Sequence, residues 1–124
     1  MANVVEGPYE ADIVVFEEDD RFSRDRVTVI TPQNLAIGTV VGIITASGKV
    51  TILAPAAVDG SQTAAGVMIA AVDASAADKD GPMLARECTV KDKNLVWPGG
   101  ISAGQKTTAI GQLKALGIVV RTTV

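Results

Sequence analysis

A mainly β domain, a small barrel or folded ribbon with one late helix, is the fold class this sequence predicts. Three observations predict it. Short apolar runs rich in Val and Ile recur along the chain and are separated, roughly every 8–12 residues, by Gly, Pro, Asp or Asn turn signals. Hydrophobic residues make up 48% of the chain but aromatics only 3%, so the core has to be built from Val, Ile, Leu and Ala, which suit sheets. Only one stretch, Asn94 to Arg121, carries a complete helix signal. With 124 residues the chain suffices for one ordinary domain and is too short for two.

Taken in order, residues 1–11 contain a Gly-Pro break and no sustained period, which predicts an arm that is mobile in isolation. Asp12 to Phe16 is a short β-prone run with two readings: an edge strand of the domain's own sheet, or a strand that pairs with the sheet edge of another protein. Glu17 to Asp20 is a run of four acids, read as a solvated turn. Arg21 to Arg26 alternates charge around Phe22, a mixture common both in interface hot spots and in charged turns. Val27 to Ile30 then reads as a strand.

From Pro32 the pattern is regular. The apolar runs at Gly38–Thr45 and Val50–Leu53 flank the turn Ala46-Ser47-Gly48-Lys49, so residues 39–53 read as a hairpin. Pro55 ends it, and Val58-Asp59-Gly60-Ser61 is a further turn. Ala65 to Val72 is a buried-strand candidate, Asp73 to Asp80 a loop or single helical turn, and Gly81-Pro82 the start of one strand running from Met83 to Val90. Trp97-Pro98-Gly99-Gly100 is the turn that feeds the helix. Ser102 and Gln105 make a capping-box pattern, and Ala109, Ile110, Leu113 and Leu116 fall on one face. Gly117 is placed to end the helix in the left-handed conformation. Ile118 to Val120 is β-branched and reads as a strand.

Charge divides the chain. Residues 1–31 carry eight acidic and three basic side chains and residues 32–124 six and eight, so the net −3 splits into −5 and +2. That pattern describes an acidic arm, residues 1–26, on a near-neutral body, residues 27–124, and it lacks the basic footprint of a nucleic-acid binder. With no His and one Cys, neither a zinc site nor a Ser-His-Asp triad can be assembled, and no internal disulfide can form. No apolar run approaches the about 20 residues of a membrane span, and the N-terminus lacks a signal peptide's layout, so the expectation is a soluble product made in a cytoplasm.

Candidate chemistry is sparse. Gly99, Gly100 and Gly104 resemble an anion-binding turn, but Ser102 and Gln105 would occupy the free amides. Cys88, with Arg86 two residues away, reads as a small buried residue rather than a nucleophile. Lys49 at a hairpin tip invites comparison with biotinyl and lipoyl carrier domains, although the residues around it lack the carriers' motifs. A non-catalytic subunit of an enzyme complex is the other alternative. No catalytic residue, cofactor or metal is expected.

Four stretches, in matching order and spacing, resemble the head decoration proteins of tailed bacteriophages, the family of phage lambda's protein D. They are Arg21-Phe22-Ser23-Arg24-Asp25 leading into Val27-Thr28-Val29, then Gln33 to Gly42, then Asp59 to Gly66, and finally Leu95-Val96-Trp97-Pro98 with the helix to Gly117 and the strand to Arg121. The resemblance covers about residues 15–121 and implies a β-clip-like fold and a non-enzymatic virion protein. Such proteins form homotrimers on the outside of the expanded head, at three-fold and quasi-three-fold positions, where they clamp copies of the major capsid protein against the pressure of packaged DNA. It further implies synthesis in a bacterial host cytoplasm, no nucleic-acid partner and no membrane. Under this reading Ile13, Val14, Val15 and Phe16 are the capsid-pairing strand, with Arg21, Phe22 and Arg24 beside it. Trp97, Pro98, Ser102, Gln105 and Gly117 are structural.

Overall fold

The computed structural model describes residues 14–17 and 23–121. Its centre is a closed barrel of β2 (Arg24–Val29), β4 (Val40–Ile43), β5 (Val50–Ile52), β6 (Ala64–Met68) and β8 (Lys79–Leu84), in the order β2-β5-β4-β6-β8. β4 and β5 form the antiparallel hairpin, with Val41 opposite Ile52 and Ile43 opposite Val50. β2 and β8 pair along their whole length, from Arg24 opposite Leu84 to Val29 opposite Lys79. The ring closes narrowly: among the described residues β2 meets β5 only at Val29 opposite Val50, so residues 24–28 have a strand on one side alone, β8. A two-stranded ribbon of β3 (Asn34–Leu35) and β7 (Val72–Asp73) lies beside them.

The second sheet has the order β1-β9-β10, made of β1 (Val14–Glu17), β9 (Cys88–Lys91) and β10 (Ile118–Arg121). β1 runs antiparallel to β9 and β10 runs parallel to it. Parallel neighbours require a crossover. Here it consists of a 3₁₀ turn at Asp92–Asn94, the Trp97 turn and the helix α1 (Ala103–Ala115).

The barrel wall serves two cores because successive strand residues point to opposite faces. Val41, Met68 and Met83 pack with Val29, Val50 and Val72 in one core. Their chain neighbours Val40, Val67 and Leu84 pack with Cys88, Val90, Ala109, Leu113 and Ile118 in the other, between barrel, helix and second sheet. Three close approaches depend on glycine: a Cβ on Gly42 would lie 2.4 Å from the Ser61 carbonyl oxygen, on Gly66 2.5 Å from the Leu84 carbonyl oxygen, and on Gly81 2.4 Å from a Val72 methyl group.

The structure departs from the sequence-based expectation in five places. The strand candidate Ala65 to Val72 is split, since β6 ends at Met68 and Val72 pairs with Leu35 in the ribbon of β3 and β7. The strand read at Val27 to Ile30 is β2, which starts earlier, at Arg24, because Arg24 to Arg26 pair with Leu84, Met83 and Pro82. Residues 73–80 are not all loop: β7 ends at Asp73 and β8 begins at Lys79. The polar residues there are the exposed end of a strand, where Asp80 accepts from Thr28 Oγ1 at 2.8 Å and lies 3.6 Å from Arg26 Nε. The expected strand 83–90 is two strands in different sheets, broken where Glu87 takes φ +54°. Finally, Leu116 is 39% exposed at the helix C-cap, so the buried face of α1 is narrower than expected, with Ala109 and Leu113 at its centre.

Candidate docking surface

The second sheet has two edge strands, β1 and β10. β1 uses one side for β9, with Val14 opposite Val90, Phe16 opposite Thr89 and Glu17 opposite Cys88, and an irregularity in register between Val14 and Phe16. Its other side has no strand beside it among the described residues, so unpaired backbone N–H and C=O groups face outward. The run read as a capsid-pairing strand is thus an edge strand of the domain's own sheet. What remains for a foreign strand is its outer side.

The other residues expected to act with it are distributed differently. Arg24 opens the barrel strand β2, in the other sheet. Ile13, Arg21 and Phe22 lie outside the described residues. Next to them Ser23 is fully buried, and its carbonyl oxygen accepts from the backbone N–H of Ala85 at 2.8 Å and of Arg86 at 3.3 Å. Arg86 Nη2 donates to Asp25 Oδ2 at 2.8 Å. This pair rims an open groove of about 480 Å³ over Ala65, Met83 and Ala85, with Ile43 and Leu116 as its exposed apolar lips.

At the other end of the chain the residues hold the scaffold. Ser102 Oγ accepts from the Gln105 N–H at 3.1 Å, and Gln105 Oε1 accepts from the Ser102 N–H at 3.0 Å, a complete capping box. The Pro98 carbonyl accepts from the Ile101 N–H at 3.3 Å, closing the turn that carries Trp97. Trp97 is half-buried against the helix-side core, with Lys106 Nζ 6.0 Å from its ring centroid. Gly117 sits at φ +87°, and its carbonyl accepts from the Cys88 N–H at 3.0 Å, tying the helix end to β9. Gln112, which carried no sequence signal, accepts from the Ala64 N–H at 2.8 Å and ties the helix to the barrel.

Titratable groups form loop ties rather than reactive centres. Lys49 Nζ is paired with Asp78, which also accepts from the Thr31 N–H at 2.9 Å. These contacts, the lysine first, hold the Asp78 carboxyl below the usual carboxylate range. A lysine engaged in this way is not presented for modification as a carrier lysine must be. Asp59 and Asp73 are lowered by hydrogen bonds from Ser61 and Ser75. Cys88 is buried at the head of β9. Among the described residues no three metal-ligating side chains come together, and no helix is long and apolar enough to cross a membrane.

Among the described residues the polar side chains cap, tie and rim, and β1 is the edge of the second sheet. The family model described as Bacteriophage lambda head decoration protein D matches residues 3–118, and the chain belongs to that family. No individual curated protein matches it. It is therefore a structural protein of the phage head rather than an enzyme, and its place is the outer surface of the capsid.

Proposed function

We propose that the protein assembles as a homotrimer, seats itself at the three-fold and quasi-three-fold positions of the expanded head, and clamps neighbouring copies of the major capsid protein against the pressure of packaged DNA. Synthesis in the host cytoplasm precedes attachment. The observation that carries this reading is the unpaired outer side of β1, the first described strand of a chain in the head decoration family. Main-chain pairing along such an edge gives affinity, and the alternating side chains give specificity. In this proposal Ile13, Val14, Val15 and Phe16 form the strand that the capsid extends, Arg21 and Arg24 set its register, and Phe22 contacts the capsid beside them.

Three-fold assembly fits the task. A ring closed by head-to-tail contacts places three identical edges on one particle. Each edge can bind weakly while the trimer holds, because the second and third contacts form at high effective concentration. A ligand that binds the intact lattice and not its disrupted state stabilises the lattice by mass action. Co-sedimentation with undecorated expanded heads tests the proposal. The full chain is expected to pellet with heads, a chain lacking residues 1–13 to retain part of that binding, and a chain lacking residues 1–17 to remain a folded trimer in the supernatant. Undiminished binding without residues 1–17 contradicts the role given to β1.

A further inference from the structure

The outer face of β9 and β10 carries two cations side by side. The strands are in parallel register, with Thr89 beside Val119 and Lys91 beside Arg121. Cys88, Val90 and Ile118 are buried in the helix-side core and Val120 packs against it, so the strand period puts Thr89, Lys91, Val119 and Arg121 on the opposite face. Val119 is 45% exposed there.

Among the described residues neither cation has an ion-pair partner: Asp25, Asp78 and Asp80 face Arg86, Lys49 and Arg26 instead. Like charges directly opposite on neighbouring strands repel, so the pair destabilises the free subunit and an anion against it would relieve the repulsion. A small anion would use the cations alone. Thr89 and Val119 stand two residues back along the strands, about 7 Å away, and lengthen the surface to that of a short peptide with carboxylates at one end and an apolar side chain at the other.

This face adjoins the edge given above to the capsid. β9 lies one strand spacing from β1 and β10 lies two, about 10 Å. A capsid strand added to the outer side of β1 would stand about 15 Å from β10, a distance that about five further extended residues can cross.

We infer that the outer face of β9 and β10 takes an acidic segment of the major capsid protein, with carboxylates against Lys91 and Arg121 and an apolar side chain over Val119. The contact rests on the capsid-binding reading above and adds an electrostatic component to strand pairing. Its ion pairs are exposed at the rim, so salt weakens them.

Arg121→Glu separates this contact from the fold. In the free protein it turns a like-charged pair into an opposite one, so the urea midpoint is expected at or above that of the native chain. Its affinity for undecorated expanded heads, read by co-sedimentation, is expected to be about tenfold lower than native at about 0.05 M salt and within about twofold of native at about 0.5 M. Lys114→Glu makes the same charge change on an exposed position of α1 and is expected to bind as the native chain does. Equal binding by Arg121→Glu and the native chain at low salt overturns the inference and leaves the capsid-binding reading standing. A native chain that sediments with heads at no salt concentration overturns both. A loss shared by Lys114→Glu reports net charge alone and overturns the inference. So does a loss accompanied by a change of oligomeric state in analytical ultracentrifugation, which makes the face a contact between copies. Should the Arg121→Glu midpoint fall below the native one, Lys91→Gln with Arg121→Gln takes its place: weaker binding at low salt supports the inference and undiminished binding overturns it.

Discussion

Single residues in this protein do structural work that substitution can measure. Leu113 is fully buried between α1 and the barrel, so Leu113→Ala is expected to cost about 2–5 kcal/mol in denaturant unfolding. Gly111 lies in the same helix, and a Cβ added there would meet nothing within 4 Å. Gly111→Ala is therefore expected to stabilise the free protein by up to about 1 kcal/mol. Gly117 is the opposite case: its φ is +87° and a Cβ would lie 2.4 Å from Glu87 Oε2, so Gly117→Ala destabilises. Asp78 predicts a pH dependence. Its folded-state pKa lies below the unfolded one, so its contribution is present above the unfolded value and is lost as pH falls through the folded value. Unfolding midpoints of Asp78→Asn should lie below those of the native protein at neutral pH and converge with them below about pH 4. A difference that stays constant through acid pH contradicts the Lys49–Asp78–Thr31 tie.

Elements are legible in the sequence in proportion to how local their determinants are. The capping box of α1 is a short-range pattern, and Ser102 with Gln105 announces the helix that the structure contains. The hairpin of β4 and β5 is equally local, set by the Ser47-Gly48 turn between two apolar runs. The start of β8 is hidden because Lys79 and Asp80 look like loop residues, and only pairing with Thr28 and Val29 makes them a strand. The break at Glu87 carries no signal at all, since a non-glycine residue at positive φ is imposed by the surrounding chain. Of the docking surface, the β-prone character of Val14 to Phe16 is visible. That β9 takes one side of it, and that Arg24 belongs to the other sheet, are long-range facts of topology. Gln112 is silent for the same reason. Because it satisfies the buried Ala64 N–H, Gln112→Ala is expected to cost about 1–3 kcal/mol, read as a lower midpoint in urea.

At the scale of the whole molecule the division of labour is between a closed barrel and an open sheet. The five barrel strands form a closed ring, joined between β2 and β5 only at Val29 opposite Val50, and enclose a core of their own. The second sheet keeps its edges, with β1 on one side of β9 and β10 on the other. The role proposed above needs no reactive group, because an effect on the shell would come from binding free energy multiplied over many sites. Cryo-electron microscopy of undecorated expanded heads incubated with the full chain tests this account most directly. The account predicts trimeric density on the outer surface at the three-fold and quasi-three-fold positions, with β1 continuing a strand of the major capsid protein. Bare shells, or density at other positions with β1 free of the shell, would contradict it.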